Sequence, residues 1–253
     1  MPKYKKVVLK LSGEALMKDG SKGIIDFDFV DTVAKQVKKC TEEGVSFGIV
    51  IGGGNIWRGA GKKINRTRAD HMGMLATVIN SLAVQSVFEE NGIETRTMTA
   101  LQMNQIAEPY IRNKAVSHMQ KGRVVIIACG SGNPYFSTDT AAVLRAAELG
   151  AEIVLFAKNI DGVYTADPKL DPNAKKLDNI TYDEIIHNDL AVIVSTASAF
   201  GRDNHLPLLL FGLNDPENIC RAVNGEKIGT MVSDSFHNRT PHFCYRVCKN
   251  EAG

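Results

Sequence analysis

The sequence predicts an α/β fold: a mainly parallel sheet covered by helices on both faces. Three observations predict it. Short runs rich in Val, Ile and Leu alternate with stretches of helical periodicity through most of the chain, the pattern made by parallel strands joined through crossover helices. Three of these runs end in Gly-rich loops, at Lys10-Leu11-Ser12-Gly13, Gly52-Gly53-Gly54-Asn55 and Gly130-Ser131-Gly132-Asn133. With 253 residues, the chain is long enough for one large domain with a well-buried core.

Taken in order, Lys5 to Leu11 reads as a first strand, and the polar stretch from Met17 to Ile25 as a loop or hairpin. From Asp28 the apolar residues Val30, Val33, Ala34 and Val37 fall at helical spacing, and Gly44 supplies a stop. Val45 to Ile51 is the second strand. A basic loop, Lys62 to Arg68, precedes a long helix from about Asp70 to Asn91-Gly92. This helix is apolar on several faces, which fits deep burial or packing on a partner subunit. Ile93 to Met98 is a short strand, Pro109 to Gln120 a helix, and Val124 to Ala128 the strand feeding the third Gly-rich loop. Asp139 to Leu149 is an Ala-rich helix, Glu152 to Phe156 a strand, and Asn159 to Pro172 a loop. Short helices follow near Tyr182–Asn188 and Thr196–Asp203, then a strand Leu206–Phe211, a helix after Pro216 and a last strand near Gly229–Val232. No repeat or linker divides the chain. The reading is a single domain over residues 1–233 with an appended tail, 234–253.

Composition excludes several classes. Lys plus Arg is 30 against 28 for Asp plus Glu, so neither a nucleic-acid surface nor a membrane surface is indicated as the main partner. No unbroken apolar run approaches the length of a membrane span. The basic start, Met1 to Lys6, leads into a strand rather than a signal peptide. The five cysteines are odd in number, with Cys40, Cys129 and Cys220 scattered, and a reducing cytoplasm is the simplest compartment.

The chemistry concentrates in the Gly-rich loops. In a doubly wound sheet such loops emerge at the carboxyl edge, where ligands bind. Glycines let backbone approach a ligand, and a helix start offers free N–H groups to an anion. The mononucleotide fingerprints are absent. Gly54 and Gly59 have P-loop spacing, but Ala60-Gly61 replaces the required Lys-Ser/Thr, and Trp57 stands where a dinucleotide fold needs Gly. Lys10 ends the first strand, Arg58 lies four residues past Gly54, and Asp139 opens a helix after the third loop. Two cations and a carboxylate around Gly-rich backbone suit phosphoryl transfer, which needs orientation and charge neutralisation. The plain alternatives are exposed loop charges for Lys10 and Arg58 and an N-cap for Asp139.

Five segments carry a resemblance: 10–16, 51–59, 70–77, 132–139 and 161–168, reading KLSGEAL, IGGGNIWRG, DHMGMLAT, GNPYFSTD and DGVYTADP. Together they resemble the bacterial uridylate kinases (UMP kinases) of the amino acid kinase superfamily, over roughly residues 5 to 233. The first two elements are shared across the superfamily; the DHMGM and GNPYFSTD elements are much more specific to the UMP enzymes. The resemblance implies a three-layer αβα sandwich and transfer of the ATP γ-phosphoryl to UMP with Mg²⁺, without a dedicated metal cage. It places Lys10, Leu11, Ser12, Gly13, Gly54 and Arg58 on the ATP phosphates, and Lys158 or Asn159 with Tyr164 and Asp167 at the adenine and ribose. It places Gly53, Asp70, Ser131, Gly132, Asn133, Pro134, Tyr135, Phe136, Ser137 and Thr138 on UMP, with Asp70 on the ribose hydroxyls, and Asp139 on the catalytic cations. It also implies a homohexamer, activation by GTP through a loop spanning 18–25, and inhibition by UTP.

Two departures stand out. The family's Asp in the segment 191–197 is replaced here by Val194. The extra tail contains His237, His242, Cys244 and Cys248, but it lacks a Cys-x-x-Cys core, so a disordered or non-native extension is favoured over a zinc site. The alternatives to a UMP kinase are a related carboxylate or carbamate kinase, a nucleotide-binding sensor with weakened catalysis, and a Rossmann-type dehydrogenase.

Overall fold

The computed structural model describes residues 1–18, 20–59, 63–166, 171, 173–188, 190 and 193–234. The tail residues 235–253, with the His and Cys residues weighed for zinc, lie outside the described residues, as does Asp167. The elements in chain order are β1 (Lys6–Leu11), α1 (Gly13–Met17), α2 (Phe27–Glu42), β2 (Ser46–Ile51), α3 (Arg66–Glu90), β3 (Thr95–Thr99) and β4 (Glu108–Pro109). Next come α4 (Arg112–Gln120), β5 (Val124–Ala128), α5 (Thr138–Leu149), β6 (Ile153–Lys158), β7 (Val163–Tyr164), β8 (Lys176–Leu177) and β9 (Asn179–Thr181). The last are α6 (Tyr182–His187), α7 (Ser195–Asp203), β10 (Leu208–Gly212), α8 (Asn218–Val223) and β11 (Thr230–Ser233).

Nine strands form one sheet in the order β4-β3-β5-β2-β1-β6-β10-β11-β9. Each pairing is parallel except that of β10 with β11. The central strands read as unbroken apolar runs because both of their faces are covered. On one face Val7, Leu9 and Leu11 pack with Val33 and Val37 of α2, Val84 and Phe88 of α3, and Ile219 and Val223 of α8. On the other, Val8, Val50, Val125, Ile127, Val154 and Phe156 pack with Ala142, Val143 and Ala146 of α5. Helix, sheet and helix make the expected three layers.

Strand parity carries this division into the chemistry. Successive side chains alternate between faces, so Lys10 shares the face of Val8 and emerges towards α5. By the same rule Lys158, at the end of β6, shares the face of Val154 and Phe156. Lys10 is paired in register with Phe156 on the neighbouring strand, which brings the two lysines to one edge on one face.

Several boundaries move from their expected places, each for a local reason. Ser12 caps a short helix, α1, with its hydroxyl accepting from Ala15 N at 3.2 Å, so the first Gly-rich segment passes directly into a helix. The basic stretch before Asp70 is already helical, because Asn65 caps α3 by accepting from Arg68 N at 3.3 Å. The start of the expected helix at Pro109 is instead the edge strand β4, where a residue without an N–H is tolerated, and α4 begins at Arg112. Within 159–172, Val163–Tyr164 form a small antiparallel ladder with Lys176–Leu177. By length and composition as a helix, α3 does reach what a membrane span requires, although half of that stretch is buried inside the fold. The polar residues Asn80, Ser81 and Gln85 interrupt it, which is why unbroken apolar runs do not reveal it. Met72, Leu75, Ile79 and Leu82 remain exposed along it.

Val194 occupies the N-cap of α7 and makes no side-chain cap hydrogen bond. Asp is among the preferred residues there because its carboxylate accepts an otherwise unpaired N–H of the first turn. The substitution Val194→Asp is expected to raise unfolding stability by about 1 kcal/mol. Urea denaturation of the two proteins checks it, and an unchanged or lower midpoint would refute the capping role.

Candidate active site

The carboxyl ends of β1, β2, β5 and β6 bring the Gly-rich segments together. A Cβ on Gly13 would lie 2.5 Å from Asn55 Oδ1 and 2.7 Å from both Gly52 O and Gly54 N, so the first two loops touch through backbone and only glycine fits between them. Gly53 meets α3 equally closely: a Cβ there would lie 2.8 Å from Gly73 O and 2.9 Å from the Ala76 Cβ. The buried amide of Asn80 fixes this approach. It donates to Gly52 O at 2.7 Å and to Asn55 Oδ1 at 2.7 Å, and accepts from Asn55 Nδ2 at 3.0 Å. Asn80 lies in the middle of an apolar helix, and the sequence carries no signal of its role beyond being a polar residue among apolar ones.

Asp139 stands between the two lysines that parity brings together. Its Oδ1 lies 2.7 Å from Lys10 Nζ and its Oδ2 2.9 Å from Lys158 Nζ. Lys10 and Asp139 are only 6% and 7% exposed, so their ion pair is buried, while the pair with the half-buried Lys158 is partly so. Burial by itself would raise the Asp139 carboxyl, but Lys10 and then Lys158 outweigh it and hold the group below its ordinary value. Burial lowers Lys158 from its ordinary range; Asp139 opposes this and Lys10 adds to it. Asp139 is not the helix cap. Ser137 caps α5 by accepting from Thr140 N at 3.2 Å, which leaves the Asp139 carboxylate in the first turn, where the helix dipole favours an anion.

Two cavities open at this edge. The larger, about 970 Å³, is lined by Lys10, Ser12, Gly13, Arg58, Lys158, Asn159 and Tyr164 among others. The smaller, about 170 Å³, lies between α3 and the loop after β5 and is lined by Asp70, Ser131, Asn133 and Phe136 with Trp57, Met74 and Thr77. They share Gly53, Gly54 and Thr138. Thr138 directly precedes Asp139, so the charged cluster sits where the cavities meet.

The loop after β5 is shaped by two non-glycine residues in the left-handed region, Cys129 (φ 63°) and Tyr135 (φ 71°). Such conformations persist only when their surroundings hold them. α3 does so at both: Cys129 N donates to Thr77 Oγ1 at 2.8 Å, and Tyr135 N donates to Asp70 Oδ2 at 2.7 Å. Asp70 also accepts from Arg66 Nε at 2.9 Å. From the opposite side the buried Arg145 donates to Gly130 O at 3.0 Å, while pairing with Glu148 at 2.8 Å and lying over the Tyr110 ring.

Not every expected residue faces a cavity. The Leu11 side chain is in the core, and its carbonyl accepts from Gly52 N at 2.9 Å. Gly132, Pro134, Tyr135 and Ser137 shape the loop without lining the smaller cavity. Arg58 is exposed and ion-paired with Glu14. Lys158 and Asn159 both line the larger cavity, but it is Lys158 that reaches Asp139. Thr77, Asn80 and Arg145 were not singled out from the sequence, since each acts through backbone contacts made across the fold.

The sheet, the fused Gly-rich loops and the paired cavities are those of a small-molecule kinase, and the chain belongs to the amino acid kinase family, which matches residues 5–211. Among solved structures it is similar to UMP kinases. It is 37% identical to the UMP kinase of Bacillus anthracis, with a TM-score of 0.88, covering 92% of this chain and 97% of that one. It is 36% identical to the UMP kinase of Ureaplasma parvum, with a TM-score of 0.85, covering 91% and 99%. The uridylate kinase of Archaeoglobus fulgidus is more distant, at 26% identity and a TM-score of 0.71, covering 90% and 100%.

Removing one partner of a buried ion pair leaves an uncompensated charge. Asp139→Asn is therefore expected to lower stability by about 3–5 kcal/mol. The Asp139 pKa is depressed from its ordinary 3.8. Its stabilisation is thus present above 3.8 and is lost as pH falls through the folded-state value. Unfolding free energies measured against pH should fall more steeply below that point in the wild type than in Asp139→Asn. Parallel curves would contradict the assignment.

Proposed function

We propose that this protein transfers the γ-phosphoryl group of ATP to UMP, giving ADP and UDP by direct in-line displacement. The observation that carries the proposal is the meeting of two cavities at Gly53, Gly54 and Thr138, beside the Lys10–Asp139–Lys158 cluster. The solved UMP kinases, similar over nearly the whole chain, name the chemistry of that arrangement.

In this reading the larger cavity holds ATP, with Lys10, Ser12, Gly13, Gly54 and Arg58 towards its phosphates and Lys158, Asn159 and Tyr164 along the nucleoside. Asp167 belongs to the same set by resemblance. The smaller cavity holds UMP, with Gly53, Asp70 and the loop 131–138 around it. A phosphate oxygen of UMP bonds to the γ-phosphorus as the β–γ bridge breaks, and no enzyme-bound intermediate is needed. Lys10 neutralises charge on the group in transit, and Asp139 positions Lys10 and Lys158. Mg²⁺ accompanies ATP and neutralises its phosphates. Both Asp139 oxygens are already held by ammonium groups, which fits an ion carried by phosphates and water rather than by a protein cage.

The unit performing this is residues 1–233, in the cytoplasm and within pyrimidine nucleotide synthesis. The exposed stripe Met72, Leu75, Ile79 and Leu82 on α3 supports an assembled form, and the resemblance makes it a homohexamer. Regulation by GTP and UTP is part of the same reading. From the segment 18–25, Ile24 O accepts from Asn55 Nδ2 of the second Gly-rich loop at 2.7 Å, and Lys18 Nζ donates to Asn214 O after β10 at 3.3 Å.

A coupled assay of ADP release with UMP, CMP, dUMP and glutamate derivatives as acceptors tests the substrate assignment. Turnover with UMP is expected, and turnover with a carboxylate acceptor in its place would move the protein to that branch of the family. Lys10→Ala is expected to lower kcat about 10²- to 10³-fold, with a smaller effect on UMP binding. Asp70→Asn is expected to raise the KM for UMP more than it lowers kcat. Steady-state kinetics of the two variants separate these roles.

A further inference from the structure

A second chemical feature lies outside both cavities. Cys40, in the last turns of α2, and Cys220, in α8, are 180 residues apart in the chain, yet their Sγ atoms are 2.9 Å apart. Both side chains are buried in the core beneath the two helices, Cys220 at 7% exposure and Cys40 at 3%. A disulfide needs about 2.0 Å between sulfurs, so the two atoms have only roughly 0.9 Å to close. Cys129, the remaining described cysteine, is free and packs against Met74, with Sγ 3.9 Å from its carbonyl.

We propose that Cys40 and Cys220 form a reversible dithiol–disulfide couple, closed by a hydroperoxide, that staples α8 to α2. The environment makes the two sulfurs unequal. The hydrogen bond from Cys40, aided by Lys39, lowers the Cys220 thiol from its ordinary value, while the same bond and burial raise Cys40. Burial, then Glu43 and Glu217, oppose the shift at Cys220. Cys220, at 7% exposure against 3% for Cys40, is the one that attacks, once it gives up the proton that its Sγ donates to Gln36 O and Oε1, each 3.3 Å away. Its thiolate takes the terminal OH of the hydroperoxide as the O–O bond breaks, giving a sulfenic acid and an alkoxide that leaves as the alcohol after taking a proton. Cys40 then gives up its proton and displaces the hydroxide from the Cys220 sulfur, which departs as water. Two thiols and one hydroperoxide thus yield one disulfide, one alcohol and one water, and thiol reductants reverse the change.

The staple reaches the larger cavity through α8. Asn218 Nδ2 donates to Gly212 O at 2.9 Å, Leu213 N donates to Lys158 O at 2.8 Å, and Asn214 lines the cavity itself. Closing a loop of this length constrains the unfolded chain strongly, so the oxidised protein is expected to melt several degrees higher than the reduced one.

The test is treatment of the full chain with hydrogen peroxide, followed by intact mass and non-reducing peptide mapping. The expected result is loss of two hydrogen atoms per chain, a Cys40–Cys220 cross-linked peptide, reversal by dithiothreitol, and a raised melting midpoint absent in Cys220→Ala. In Cys40→Ala, dimedone should trap a sulfenic acid at Cys220. Peptide mapping of the wild type decides the matter even if a variant fails to fold. Cross-linking of Cys220 to another cysteine, overoxidation of Cys220 to the sulfinic acid, or two unaltered thiols would each overturn the proposal. None of these readouts depends on which acceptor the kinase uses.

Discussion

A carboxylate held between two ammonium groups in the protein interior is the constraint on which the site depends. Burial of any one of these three charges alone is strongly unfavourable. Asp139 is tolerated because Lys10 and Lys158 each take one of its oxygens, and because it sits in the first turn of α5, at the positive end of the helix. The lysines are oriented in turn. Each meets Asp139 on one side and lines the larger cavity on the other, so cationic donors are fixed at the wall of that cavity. The cluster therefore ties β1, β6 and α5 together at the edge of the sheet and presents two ammonium groups to the cavity.

α3 supplies the second half of the arrangement. It is the longest helix among the described residues, and it sets the distance between the two loops beside it. Gly53 and Ala76 are small enough for the Gly-rich loop to rest on its backbone, and Asn80 ties that loop down. Thr77 and Asp70 hold the two left-handed residues of the loop after β5. Both walls of the smaller cavity are thus referred to one rigid rod. Asp70 carries two duties in this arrangement: it faces the cavity and restrains the loop that encloses it. The partners of its carboxylate show how the pocket wall is kept ordered when two of its residues adopt unfavourable backbone conformations.

Much of this was legible in the sequence. Apolar runs punctuated by Gly located the central strands, because strands buried on both faces must be apolar throughout. Lys10, Arg58 and Asp139 stood out as charges beside glycines, and the first and last of them meet. Other features were hidden because they depend on partners far away in the chain. Asp139 read as a helix opener, whereas Ser137 takes the cap and frees the carboxylate for the lysines. Lys158 and Asn159 were indistinguishable by spacing; strand parity turns Lys158 to Asp139, while both line the larger cavity. Val194 looked like a lost carboxylate of unknown duty, and its position at the N-cap of α7 gives that position a structural meaning. Arg145 was invisible, since an Arg in an Ala-rich helix reads as a solvated side chain until the loop it holds is folded against it.

The sequence by itself determined the alternation of strands and helices, the three places where backbone lacks side chains, and the identity of the charges next to them. These follow from local rules: periodicity, the conformational freedom of glycine, and the preference of buried strands for branched apolar residues. Only the tertiary structure decided which charges meet, which loops touch, and that two cysteines 180 residues apart lie within 2.9 Å of each other. Those outcomes depend on strand order and register. β1 lies between β2 and β6 in the sheet although β6 comes more than a hundred residues later in the chain. Sheet order is set by how the whole chain buries its apolar surface, and no local segment encodes it.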